Sequence, residues 1–160
     1  MKRSLLVLPA LLLLPACGGD EAPTGAGQTE DPKAAYVASA SKVCQTAQKE
    51  ADALTTPTTA EAIKPFVDSS LAIAQRAQTG LAALTPPPTD AARLISRVLD
   101  PFAALVVEGE AYAEKVAAAG NDGAKLLPLL SQQPTAKGID LAFLRSYGLG
   151  VCADVIDTST

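Results

Sequence analysis

The sequence contains no histidine and no tryptophan, and its one methionine is Met1. The missing histidine removes at once the commonest general base, the commonest zinc ligand and the side chain that titrates near neutral pH. Aromatic residues are confined to three tyrosines and three phenylalanines, so alanine and the branched aliphatics must fill the core. Basic residues are outnumbered, 13 against 17 acidic, for a net charge of −4, which argues against a nucleic-acid partner. Glycine-rich phosphate loops, metal-binding cysteine pairs and basic stripes are missing too. No segment alternates convincingly as a strand, and no internal repeat is visible.

What the chain does have begins at its start. Lys2 and Arg3 form a short positive region, Ser4 to Leu14 is apolar, and Ala16 is a small residue just before Cys17. That order reads as a secretory signal over residues 1–16. The apolar run is far short of the roughly twenty residues of a spanning helix, and Pro9 interrupts it. Leu14-Pro15-Ala16-Cys17 resembles the lipobox of bacterial lipoproteins, in which the cysteine sulfur receives a diacylglycerol and the signal is cut just before it. The resemblance implies lipidation of Cys17; the competing reading is an ordinary cleaved signal that leaves Cys17 a spare thiol. Each buried methylene contributes about 0.8 kcal/mol, so two acyl chains would hold the protein stably on a membrane's outer face.

Cleavage before Cys17 leaves 144 residues, 11 of them basic and 17 acidic, a net charge of −6. With Cys17 assigned to lipid, Cys44 and Cys152 remain as the pair for a disulfide in an oxidising compartment. The alternative is two buried free thiols. Residues 17–30, CGGDEAPTGAGQTE, lack apolar periodicity and read as a flexible tether, on the order of 45 Å when fully extended.

Residues 31–157 carry helical periodicity throughout. Asp31-Pro32 reads as an N-cap with proline at the first helical position. The stripe Tyr36, Val37, Ala40, Val43, Cys44, Ala47, Ala51 and Leu54 predicts an amphipathic first helix with Cys44 on its buried face. Thr58 and Glu61 suggest a capping box for a second helix through Ile63, Phe66, Val67, Ser70, Ala74, Ala77, Leu81 and Leu84, kinked or irregular at Pro65. A third helix starts near Thr89 or Asp90 and buries Leu94, Val98, Phe102, Leu105, Tyr112 and Val116, with Ile95, Leu99 and Val106 widening the stripe. Its phase survives Asp100-Pro101, which predicts one bent helix. Beyond Gly120, Leu126, Leu127, Leu129 and Leu130 form a short apolar helix, Gln133-Pro134 breaks it, and Ala136, Ile139, Phe143 and Tyr147 resume the pattern. Gly148 and Gly150 end it, and Leu149 and Cys152 return the tail to the first helix. The expected fold is all-α: a four-helix up-and-down bundle with a broken fourth helix, closed by one disulfide.

Three constellations invite chemistry. Ser39-Ala40-Ser41-Lys42 matches the S-x-x-K of penicillin-binding enzymes, but it lies inside an amphipathic helix without the companion elements. Glu108, Glu110 and Glu114 could serve a divalent cation or a glycosidase, and read more simply as a solvated face. Tyr36, Tyr112 and Tyr147 are the only candidates for an axial haem ligand, and read more simply as interfacial tyrosines. None implies a catalytic residue, a cofactor or a metal.

The assembled features resemble a group of small helical lipoproteins from high-GC Gram-positive bacteria. The resemblance rests on Leu14-Pro15-Ala16-Cys17, on Tyr36-Val37 to Lys42-Val43-Cys44, on Leu84-Thr85-Pro86-Pro87, and on Tyr147-Gly148-Leu149 to Cys152. Pro101, Pro128 and Pro134 interrupt helices that run more smoothly in that group. It implies a disulfide-closed helical domain on the cell surface, without a particular activity. The expected protein is thus a non-catalytic interaction or small-ligand-binding module, anchored to the membrane through Cys17. Its partner would be an envelope protein, a cell-wall polymer or a small ligand. The alternative is an envelope enzyme using carboxylates or a serine, which requires a cleft joining at least two of Ser39, Asp68, Asp100, Glu108, Glu110 and Glu114.

Overall fold

A computed structural model describes residues 31–158; the signal over 1–16, the lipidation of Cys17 and the tether over 17–30 lie outside the described residues. Among the described residues there is no strand, and no helix is long and apolar enough to cross a membrane.

Helix α1 spans Pro32–Asp52 and starts as its sequence dictates, with the Asp31 carboxylate accepting from the Lys33 N–H at 3.0 Å. Tyr36, Ala40, Cys44 and Ala47 are its buried residues, while Ala51, on the expected stripe, is exposed in the last turn. Helix α2, Ala60–Ala82, has Thr59 rather than Thr58 at its N-cap, and no side-chain bond closes it. It stays helical through Pro65, which lies on the exposed side in the second turn, and there the loss of one N–H is tolerated. Ile73, Ala77 and Leu81 are its buried residues, the first of them outside the expected stripe.

Two glycines let these helices approach. A Cβ on Gly80 would meet Val43 Cγ1 at 3.0 Å, and one on Gly109 would meet Leu71 Cδ1 at 3.2 Å. The crossing of α1 with α2, and that of α2 with the helix carrying Gly109, are therefore closer than alanine permits without adjustment.

The third helical region is continuous but not uniform. Helix α3, Ala91–Leu94, passes through a π turn at Ile95–Leu99 into α4, Asp100–Ala119. Within the π turn the Asp100 N–H bonds to the Ile95 carbonyl, five residues back. Pro101 follows and has no N–H for the Arg97 carbonyl. That carbonyl accepts instead from the Asp140 N–H at 3.0 Å, and Arg97 Nη1 lies 3.3 Å from Asp140 Oδ2. The proline that interrupts one helix thus creates the docking point for the start of another.

The π turn also explains the core pattern. Leu94, Val98, Phe102 and Val106 step by four, and each such step drifts about 40° on a regular α-helix. One wide turn absorbs part of that drift, and all four stay buried. Ile95, expected to widen the stripe, is 41% exposed because the turn swings it outward.

Beyond Gly120 the expected apolar helix is short and mostly not buried. Helix α5, Gly123–Leu126, is capped by Asp122, whose carboxylate accepts from the Ala124 N–H at 3.0 Å. A 3-10 stretch over Leu127–Gln132 follows. Leu126 packs with Tyr112 and Val116 in a small separate cluster, whereas Leu127 and Leu130 are 70% and 47% exposed, so the leucine run does not form one buried face. The pattern beginning at Ala136 becomes helical only at α6, Leu141–Tyr147, where the Asp140 carboxylate accepts from the Phe143 N–H at 2.8 Å.

Gly148, with φ +103°, closes α6. The Leu149 N–H reaches the Leu144 carbonyl at 2.9 Å and the Gly148 N–H reaches the Arg145 carbonyl at 3.2 Å, the two bonds of a Schellman closure. Gly150, by contrast, terminates nothing. It opens α7, Gly150–Thr158, a helix where an irregular tail was expected. Cys152, Ala153 and Ile156 bury against α1 and α6, and the Cys44–Cys152 bond joins α7 to α1 with an S–S distance of 2.01 Å.

Candidate functional site

Cys44 and Cys152, the cysteines expected to pair, are 5% and 2% exposed and form the disulfide at the centre of the main core. The bond is structural in its setting: both sulfurs are enclosed by the packing of α1 against α7, away from a cleft where exchange chemistry would operate.

The other candidates are scattered. Ser39 and Lys42 are exposed on α1, and the Lys42 carbonyl accepts from Thr46 Oγ1, an ordinary helix contact. Glu108, Glu110 and Glu114 are exposed along α4, with Glu110 accepting from Gln75 Nε2 at 2.8 Å. Among the described residues no group of histidine, cysteine or carboxylate side chains is arranged to hold a metal ion.

The tyrosines divide into two settings. Tyr36 and Tyr147 pack edge to face, 6.4 Å between ring centroids, and Phe143 lies 5.5 Å from Tyr147. Tyr147 donates from its hydroxyl to Asp90 Oδ2 at 3.1 Å, while Arg93 Nη2 holds Asp90 Oδ1 at 2.5 Å. Lys33 Nζ sits 4.5 Å above the Tyr147 ring, and the Arg93 and Arg97 guanidinium groups lie 5.9 and 5.5 Å from the Phe143 ring. Burial, reinforced by the Asp90 carboxylate, pushes the Tyr147 phenol up to about 12; burial raises Tyr36 as well. The Arg93 hydrogen bond holds the Asp90 carboxyl below its ordinary range. This network was not read from the sequence. The Asp90–Arg93 spacing alone hinted at it, since Tyr147 is 57 residues away and only folding brings it near. It ties α1, α3 and α6 together at one end of the domain.

Tyr112 stands apart, in the small cluster with Val116 and Leu126. It lies at a surface depression of about 280 Å³ whose walls include Glu108 and Lys115 from α4, Gln132 from the end of the 3-10 stretch, and Gln133 and Thr135 just beyond it. Of the six residues an enzyme would need to bring together in pairs, this depression holds Glu108 alone. A depression of about 330 Å³ between α1 and α7 is lined by Gln45, Gln48, Lys49, Val151 and Asp154, none of them buried. Compared with protein-family models, with curated proteins and with solved structures, the chain matches none. The geometry accordingly defines a class, an all-helical domain closed by a disulfide.

Proposed function

We propose that this chain is an exported lipoprotein, held at the outer face of the cell membrane by a diacylglycerol on Cys17. Its helical domain serves there as a non-catalytic interaction or small-ligand-binding module of the envelope. The observation that carries this reading is the bond between Cys44 and Cys152. A stable disulfide of this kind suits an oxidising compartment, and its formation leaves Cys17 as the one cysteine free for acylation. We read the architecture as a four-element up-and-down bundle: α1, α2 and the α3–α4 helix are the first three elements, and α6 with α7 replaces the fourth. The partner is an envelope protein, a cell-wall polymer or a small ligand that meets the domain within the radius of the tether.

Intact-mass analysis of the membrane fraction tests the anchor. The expected species begins at Cys17 and carries the added mass of a diacylglycerol. A soluble, unmodified chain overturns the proposal.

A further inference from the structure

The depression beside Tyr112 sets a largely buried tyrosine at a concave part of the described surface. Tyr112 is 7% exposed, its ring packed with Val116 and Leu126, and its hydroxyl forms no hydrogen bond with a described residue. Among the described residues no side-chain polar atom is both shut off from solvent and unpaired. The Tyr112 hydroxyl is therefore reachable from solvent, and Tyr112 lines the depression. An otherwise enclosed tyrosine whose accessible hydroxyl lies at a concave surface can donate to, and accept from, a bound polar group.

The charges on either side of it are opposite. Glu108 and Lys115 are seven residues apart on α4, two turns or about 10.5 Å along the axis, with Tyr112 between them on the same face. Neither forms an ion pair with a described residue. Across the depression, Gln133 offers a side-chain amide and Thr135 a hydroxyl, while Gln132, whose Nε2 donates to the Pro128 carbonyl at 3.2 Å, offers its side-chain oxygen. A cation acceptor at one end, an anion acceptor at the other and neutral hydrogen-bonding groups between them match one small-molecule pattern. We infer that this depression binds a short zwitterionic peptide, its terminal ammonium on Glu108 and its terminal carboxylate on Lys115. The peptide groups lie against the Tyr112 hydroxyl and the glutamine amides.

Length supports a dipeptide. Two extended residues span about 7 Å. A charge-assisted hydrogen bond of about 2.8 Å at each end brings the total to about 12–13 Å. That fits two helical turns once the Glu108 and Lys115 side chains splay outward. The volume of about 280 Å³ lies just below the usual range of ligand sites, which restricts the depression to a ligand as small as a dipeptide. A neutral sugar would use the hydroxyl and the amides but neither charge.

This inference rests on the ligand-binding form of the function proposed above, and its test is separable from that of the anchor. The chain from residue 17, with Cys17→Ser, is titrated with L-Ala-L-Ala while backbone amide NMR signals are followed. Saturable shifts are expected at Tyr112 and across Gln132 to Thr135. N-acetyl-Ala-Ala, which lacks the ammonium, and Ala-Ala-amide, which lacks the carboxylate, should each bind about tenfold more weakly. Glu108→Gln should abolish the penalty for the acetyl cap and keep that for the amide cap; Lys115→Met should do the converse. Both positions are exposed, so the fold should survive, and the capped peptides probe the unaltered protein in any case. Absence of saturable shifts at about 10 mM peptide, well above a millimolar Kd, overturns the inference, as does equal affinity for capped and uncapped peptides. Acyl mass on the native chain with no peptide binding by the Cys17→Ser chain overturns the site alone. Peptide binding by the Cys17→Ser chain with no acyl mass on the native chain overturns the anchor alone.

Discussion

Removing the Cys44–Cys152 bond should lower stability by an amount that its loop length sets. The bond closes a separation of 108 residues. The chain-entropy relation then gives about 4.8 kcal/mol at 25 °C, and measured values for native bridges are more commonly about 2–4 kcal/mol. An unfolding entropy of about 2.1 cal/mol/K per residue, summed over the roughly 128 residues of the domain, is about 0.27 kcal/mol/K. The expected fall in Tm is therefore about 7–18 °C. Cys44→Ala with Cys152→Ala is the appropriate perturbation, because it leaves no buried thiol to re-pair or oxidise. The loss should also be local in character. Helix α7 has nine residues, too few for stability on its own, and it reaches the core through Cys152, Ala153 and Ile156. Thermal melting by circular dichroism measures the global loss, and hydrogen exchange should show α7 amides losing protection ahead of α1 and α2. A double variant that melts within about 2 °C of the parent, with α7 protection unchanged, refutes the reasoning and makes the bond energetically idle.

Two further outcomes follow from packing and from titration. Gly80→Ala gains up to about 1 kcal/mol of helix propensity but drives a methyl against the stiff Val43, so a net loss of about 1–2 kcal/mol is expected in urea melts. In a Val43→Ala background the same substitution should become stabilising, and a stabilising effect in the parent would show that the α1–α2 crossing is not tight. The Tyr147 phenol holds its proton in the folded state to about pH 12, above the ordinary tyrosine value of 10. Between those pH values the folded protein binds more protons than the unfolded chain, so stability that is fully present below pH 10 falls as pH rises toward 12. Phenolate absorbance should show the late titration and Tyr147→Phe should remove it; a folded protein whose tyrosines all ionise near pH 10 contradicts the buried Tyr147–Asp90 contact.

Local signals told the truth where the physics is local. Asp31 and Gly148 cap or close their helices because the relevant bonds reach only two to five residues along the chain. The Tyr36, Ala40, Cys44 and Ala47 stripe is buried because spacing alone places those residues on one face. Errors arose where burial depends on what lies opposite. Leu127 and Leu130 look like core residues and are exposed, since nothing packs over the 3-10 stretch on that side. Ala51 is on the stripe and is exposed at a helix end. The tail beyond Gly148 is a helix, missed because two nearby glycines imitate a terminus when only one of them has a positive φ. For the depression beside Tyr112, the acidic residues were visible and the partners across it were not, because Gln132 to Thr135 meet α4 only after the chain reverses.

The all-helical class, the cap at Asp31, the closure at Gly148 and the buried face of the first helix were thus legible in the sequence itself, since each depends on short-range geometry, and Cys44 and Cys152 were its expected pair. The tertiary structure decided the rest: that Pro101 gives up the Arg97 carbonyl to Asp140, that Tyr147 finds Asp90, and that α7 docks on α1. Those contacts join residues 43, 57 and 108 positions apart. No local rule reaches that far, because the loop entropy of bringing such residues together is repaid only when the whole core assembles.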